Sequence, residues 1–381
     1  MKFLVYLISL SALLLSNNAG ALSLNEAIDE SLANNLLLKM EANAVDIAEE
    51  DYFQSKTSYL PSININANIA ETEYSNLRAQ SGISSNDYEL SPISKSIILS
   101  QNLFSGFSRI YNSISSKESL NLKRLNEKKV TQDIILETIE AYYNVLIAEK
   151  TVQSYRDNLE SVTERSNATI KEYEVGLVSK TDVAQAEAYL NNAKIDLLDS
   201  KIILKNLKNL FLDLVGVEAE NLIFSEINVD IPNSFNQFKE ILIANNYSIR
   251  MAEANLNIMD ANVGVAQSAY YPQLNLTATL SELDEYSSTV DELTSEEIKA
   301  SLNWPIFTAG KSLSNVRKAK EMKNSQHILL QKTRNETVIL SENIWDTFEI
   351  SKQTIKAAEL TYNANQTAYK GTVIEQEVGE R

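Results

Sequence analysis

The chain has 381 residues, a net charge of -17, one histidine and no cysteine. Acidity on this scale excludes nucleic-acid backbones and anionic membrane surfaces as electrostatic partners, and suits a solvated surface or a cation-favouring lumen. The lack of cysteine excludes disulfides, thiol catalysis and cysteine metal sites, and no lipid-anchored N-terminus is expected.

Met1–Ala21 has Lys2, an apolar run from Phe3 to Leu15, and Ala19-Gly20-Ala21. A charged start, a short hydrophobic stretch and an A-x-A site describe a cleaved signal peptide over residues 1–21. The competing reading, an N-terminal membrane helix, needs a longer run. No later stretch approaches a transmembrane helix, so any membrane insertion must use strands.

Leu24–Tyr59 reads as helix with a break at Asn34-Asn35, stopped by Pro61. Ile63, Ile65, Ala67 and Ile69 then alternate with Asn64, Asn66 and Asn68, which places the two sets on opposite faces of a strand. A polar loop, Glu71–Ser91, precedes a return strand in which Ile97, Leu99 and Leu103 oppose Ser96, Ser100 and Asn102. Strands are thus expected over about 61–104. From about Ser108 to Glu174 there is neither proline nor glycine. An unbroken helix of that length runs roughly 100 Å and marks a coiled coil or helical repeat. After Glu174-Val175-Gly176, the positions Val183, Ala186, Leu190, Ala193, Leu197, Ser200, Leu204, Leu207, Phe211 and Leu214 step by three and four up to Gly216. That spacing predicts a coiled-coil seam whose small residues allow close approach.

Ile231-Pro232 opens a second round. One constant offset overlays Ala33-Asn34-Asn35 on Ala244-Asn245-Asn246, Met40 on Met251, Tyr59 on Tyr270 and Pro61 on Pro272. Leu274, Leu276, Ala278 and Leu280 alternate with Asn275, Thr277, Thr279 and Ser281. On the return, Ile298, Ala300, Leu302, Trp304 and Ile306 oppose Lys299, Ser301 and Asn303. The reading is a large duplication: a first repeat over 22–216 with long helices over about 105–216, and a second over 217–381 with strands over about 272–307 and a long helix over about 310–378.

Everything around these strands looks helical, so no second sheet is available to cover their apolar face. A lipid-facing apolar row and a water-facing Asn/Ser/Thr row satisfy both faces. An ordinary sheet with one wet face is the competing reading. In lipid every backbone group must be paired, and single-chain barrels start at about eight strands. Four strands cannot close, so membrane insertion requires several chains to share one barrel.

The order of these motifs resembles the TolC-type outer-membrane efflux and secretion channel family. The resemblance rests on Tyr59-Leu60-Pro61 and Tyr270-Tyr271-Pro272, on Leu103-Phe104-Ser105-Gly106 and Phe307-Thr308-Ala309-Gly310, and on the run from Tyr173 through Gly176 to Val183. It implies mixed α and β structure, with long antiparallel coiled-coil helices and four strands given to a shared transmembrane barrel. It further implies a homotrimer in the outer membrane with a periplasmic extension, whose helix tips meet a periplasmic adaptor (membrane-fusion) protein and, through it, an inner-membrane pump. Val175, Gly176 and Leu177 resemble the adaptor-docking turn. Thr181 and Asp182 match positions that hold the entrance closed, and Val378, Gly379 and Arg381 match the second tip. On this resemblance one long helix after Arg381 is missing, and a chain ending there is expected to assemble poorly or leak.

No enzyme signature or cofactor motif is present. His327 lies on a polar stretch, with Lys323 and Gln331 one turn away, and reads as solvent-exposed. Tyr142, Tyr143, Trp345 and Phe348 read as packing residues, and Trp304 as part of an aromatic girdle. The reading is a passive export duct of a tripartite efflux pump or type I secretion system, gated at the helix tips. The alternative is a secreted coiled-coil adhesin or scaffold without a pore.

Overall fold

The computed structural model describes residues 22–74, 88–227, 229–287 and 290–377. The first round contains helices α1 (Leu24–Asn34) and α2 (Leu36–Thr57), strands β1 (Ser62–Ile69), β2 (Thr72–Tyr74), β3 (Tyr88–Leu90) and β4 (Ile93–Ser105), and helices α3 (Ser108–Glu174) and α4 (Lys180–Val215). The second contains α5 (Phe235–Asn245), α6 (Tyr247–Gln267), β5 (Gln273–Ser287), β6 (Val290–Asn303) and α7 (Lys311–Glu377). The duplication extends to element length: α1 and α5 both have 11 residues, and α3 and α7 both have 67.

The same chemistry breaks the helix pair in both rounds. Asn35 takes an extended backbone, and its side-chain oxygen accepts from the N–H groups of Leu37 at 2.9 Å and Leu38 at 3.2 Å. Asn246 is likewise extended and accepts from the Ile249 N–H at 3.1 Å. An asparagine at that position ends one helix and caps the next, which is why the doubled Asn-Asn is a break.

Among the described residues the chain forms two compact units. Residues 22–42 and 127–230 make one; residues 43–126 and 231–377 make the other. In the first unit the core joins Leu24, Ala27, Tyr142, Val145, Phe211 and Val215. The buried Tyr142 hydroxyl lies 2.8 Å from the Leu22 carbonyl and 2.6 Å from that of Ile223, and accepts from the Ile223 N–H. Thr138 donates to the buried Ser31 hydroxyl at 2.9 Å. Ala193, Leu197, Ser200 and Phe211 of the expected seam are buried, as is Ser166 of α3. The small residues are therefore at the contact, where they let the backbones of an antiparallel helix pair approach. The short turn between Glu174 and Lys180 folds α4 back along α3, and Lys208 of α4 reaches Glu149 of α3 at 2.7 Å.

In the second unit α6 lies against α7. Ile249, Ala252 and Leu330 form an apolar cluster, flanked by ion pairs Arg334–Glu253 at 2.7 Å and Lys323–Asp260 at 2.5 Å. Trp345 of α7 packs with Phe235 and Phe238 of α5 and with Phe348. Tyr142, Tyr143, Trp345 and Phe348 are thus packing residues, as the sequence suggests. His327 is exposed and hydrogen-bonds to Gln331.

The same unit holds an antiparallel sheet of order β1-β4-β5-β6, with β2 and β3 forming a separate small ladder. Three details differ from the sequence reading. The last strand ends at Asn303, so Trp304 and Ile306 lie beyond it; Pro305 has no N–H to continue a ladder. Leu103 is the extra residue of a bulge between Asn102 and Phe104, so Phe104 rather than Leu103 pairs across to Leu274. The expected polar loop contains the short pairing Thr72–Tyr74 with Tyr88–Leu90.

Candidate functional site

The sheet has two chemically distinct faces, fixed by its register. Residues directly opposite in a ladder share a face. Ile63, Leu99, Ala278 and Ile298 form one row, and Ile65, Ile97 and Leu280, with Glu296 at the β6 edge, the next. Leu276 with Ala300 and Leu274 with Leu302 continue the band towards the helices. From Leu274 to Leu280 the band covers about 20 Å along the strand at ~3.3 Å per residue. No described element covers this face: Ile65 is 76% exposed, Ile69 80% and Ile298 82%.

The band is bounded differently at its two ends. At the helix end Phe104, Phe107 and Tyr271 stack edge to face at 5.1 and 5.4 Å, and Trp304 donates its indole N–H to the Tyr270 carbonyl at 3.1 Å. Arg109 lies over the Tyr59 ring and donates to the carbonyls of Ser58 and Leu103. At the loop end the same face turns ionic. Lys95 reaches Glu282 at 3.3 Å and Asp284 at 3.6 Å, with the carboxylate of Glu292 nearby. An apolar belt between an aromatic rim and a charged rim is the profile of a strand crossing a bilayer.

The opposite face carries Ser62, Asn64, Asn66 and Asn68 of β1, Ser94, Ser96 and Ser100 of β4, and Thr277, Thr279 and Ser281 of β5. Asn102 donates to the Asn275 side-chain oxygen at 2.6 Å across the sheet. Alternation in the sequence revealed both faces. It missed Glu297, which pairs with Thr279 on the polar face, and the Lys95–Glu282–Asp284 group on the other. Extending the same parity two residues from Lys299 finds the first.

The second feature is the turn between α3 and α4. Gly176 has φ +80 and closes α3 with a Schellman pattern: Leu177 N–H to the Glu172 carbonyl at 2.8 Å and Gly176 N–H to that of Tyr173 at 2.9 Å. Ser179 caps α4, accepting from the Asp182 N–H, while the Asp182 carboxylate accepts from the Ser179 N–H at 2.8 Å and hydroxyl at 2.7 Å. These bonds from Ser179, the hydroxyl foremost, hold the Asp182 carboxyl below its ordinary pKa. Both ends of the turn are pinned, and Val175 and Leu177 stand out at 71% and 76% exposed. Thr181 is exposed on the first turn of α4. Behind the tip a groove of about 650 Å³ between the helices is lined by Arg165, Thr169, Glu172, Asp182, Gln185 and Tyr189. The structure thus brings Val175, Gly176, Leu177, Thr181 and Asp182 together. Val378, Gly379 and Arg381 lie outside the described residues, as does the signal peptide.

Comparison with known proteins follows this architecture. The family described as outer membrane efflux protein matches residues 27–206 and 240–381, one segment in each round, and the chain belongs to that family. The chain is 25% identical over 378 residues to the outer membrane efflux protein BepC of Brucella suis, covering 97% of this chain and 81% of that one. To the outer membrane protein TolC of Escherichia coli it is 23% identical over 397 residues, covering 97% and 78%. The crystal structure of the Campylobacter jejuni CmeC outer membrane channel superposes with a TM-score of 0.77 at 20% identity, covering 94% and 77%.

Proposed function

We propose that this outer membrane efflux protein works as a homotrimeric, passive export duct. Each chain gives its four strands to one twelve-stranded barrel, and the long helices continue as a periplasmic tunnel. The carrying observation is the open sheet: β1 and β6 are both edge strands, one sheet face is an uncovered belt that is apolar apart from Gln101 and Glu296, and the other is mostly amide and hydroxyl. An edge in lipid leaves backbone groups without partners, at several kcal/mol each, so the edges must be closed by neighbouring copies. The family relation supports a trimer as the closing solution. A pore-less scaffold does not account for an uncovered belt between aromatic and ionic rims.

The tip of α3 and α4 is the adaptor-docking turn on this reading. Val175 and Leu177 offer apolar contacts on a backbone fixed by two caps, so little ordering is needed on binding. The periplasmic adaptor couples the duct to an inner-membrane pump. Within the family the work is transport, not catalysis. Fractionation with unheated gel analysis tests the proposal: the protein is expected in the outer membrane as a heat-sensitive trimer that conducts ions in planar bilayers. A soluble monomer refutes it. Cross-linking from Leu177→Cys is expected to trap an adaptor, and loss of export in Val175→Asp with Leu177→Asp, with the trimer intact, is the matching result.

A further inference from the structure

We infer that Glu297 and Lys299 of β6 are the charge-determining residues of the barrel lumen, arranged as opposed rings that cancel one another. The inference rests on the trimeric barrel proposed above. Through the regularly paired ladder, the polar face places Lys299 in the row of Ser62, Ser100 and Thr277, and Glu297 in the next row with Asn64, Ile98 and Thr279. Among the described residues these are the two charged side chains on that face of the paired rows; the other polar ones are asparagine, glutamine, serine and threonine. Both are exposed, and neither has an ion-pair or hydrogen-bond partner among the described residues. The other acidic residues of the paired ladder, Glu282, Asp284, Glu292 and Glu296, belong to the opposite face by register.

Three copies around an axis put three carboxylates on one level of the lumen and three ammonium groups on a neighbouring level, about 6.6 Å away along the strand. The net charge of -17 suggests a cation-favouring passage. Within the paired rows of this face, however, the charges sum to zero, so this stretch of the barrel discriminates little by sign, while Asp291, of the same parity on β6, stands beyond it at the loop end. Removing either ring uncovers the other. Three unit charges roughly 10 Å from the axis act through water with a screening length of about 30 Å at ~0.01 M salt, and change the local concentration of each monovalent ion about fourfold, in opposite directions for K⁺ and Cl⁻. At ~1 M, where the screening length is about 3 Å, the effect vanishes.

The experiment uses the full chain, first shown to be a trimer on unheated gels, in planar bilayers under a potassium chloride gradient. Lys299→Gln is expected to shift the K⁺/Cl⁻ permeability ratio roughly 16-fold towards K⁺ at ~0.01 M salt, about fourfold from each ion, and Glu297→Gln by a similar factor towards Cl⁻. The double variant and the charge-keeping Lys299→Arg should match the wild type. Conducting trimers in which the single variants shift the same way, or not at all, overturn the inference. So does failure of either neutral variant to assemble, because a water-facing side chain tolerates an amide. A wild-type protein that forms no trimer or no pore instead overturns the barrel reading beneath it.

Discussion

Leu99 and Ser96 lie three residues apart on β4 and face opposite ways. Leu99 sits in the row of Ile63, Ala278 and Ile298, and Ser96 in that of Asn66, Ser281 and Ser295. The Leu99 row is the middle of the apolar belt, with Leu274 and Leu302 two rows to one side and the ionic row of Lys95 and Glu282 two rows to the other. Leu99→Lys therefore places an ammonium near the centre of the hydrocarbon, at about 2–4 kcal/mol per chain. Three copies multiply that to about 6–12 kcal/mol per trimer, comparable to the whole stability of many domains. Ser96→Lys places the same group in water, at about zero cost. The assay is the amount of protein in the outer-membrane fraction and the temperature at which its trimer band dissociates. Leu99→Lys should abolish or strongly lower both, and Ser96→Lys should leave both near wild type. Equal effects, or the reverse ranking, refute the face assignment and the lipid-facing belt with it.

An alanine Cβ at Gly264 in α6 would come within 2.4 Å of the Tyr111 ring, an overlap that costs about 1–3 kcal/mol, set against about 1 kcal/mol gained in helix propensity. Gly264→Ala should lower the melting midpoint, yet raise it in a Tyr111→Ala background; destabilisation in both would show that the contact is not the cause. Gly176 has φ +80 and nothing within 4 Å of an added Cβ, so Gly176→Ala should cost only the left-handed backbone, about 1–2 kcal/mol, seen as faster hydrogen exchange at the tip with the trimer unchanged. The Asp182 pKa is lowered, so its cap is fully present above the ordinary aspartate value of 3.8 and is lost as pH falls through the depressed one. Exchange protection of residues 176–183 should therefore hold at neutral and mildly acidic pH and fail only below about 4, with that step absent in Asp182→Asn; loss near pH 6 would contradict it.

Much of this architecture is legible in the residues because single local rules decide it. Prolines and glycines punctuate the chain at Pro61, Gly176, Gly216 and Pro272, and the uninterrupted stretches between them are the long helices. Alternation fixes strand faces because a strand has a period of two, whatever it packs against. The details that escaped depend on partners distant in sequence. The bulge at Leu103 exists only relative to β5, and Lys95 gains its meaning only beside Glu282 and Asp284, some 190 residues away in the chain. Asp182 shows a third limit. Its place in the sequence suits both an entrance link and a helix cap; the structure shows the cap, formed by Ser179 three residues before it.

Edge-strand length connects the sheet's chemistry to its closure. β1 has 8 residues, and it pairs with β4 only from Ser62–Ser100 to Ile69–Ile93. β6 has 14, and its pairing with β5 continues past the row of Ile69, Ile93, Asp284 and Glu292 to Ser287 and Val290. A neighbouring copy that closes the barrel by offering β1 to β6 therefore covers only part of the β6 edge. The surplus is the loop end past that row, which carries Val290 and Asp291 next to the ionic rim. Unpaired backbone groups are tolerable in water and prohibitive in hydrocarbon. The short strand thus need span only the apolar belt, and the long one extends where its charged side chains already require solvent. Glu292→Leu with Glu296→Leu extends the belt only to rows that β1 already reaches, those of Ile69 and Ile65, and should leave the trimer as stable as wild type or more so. A less stable trimer would show that the belt's height is not set by the shorter edge.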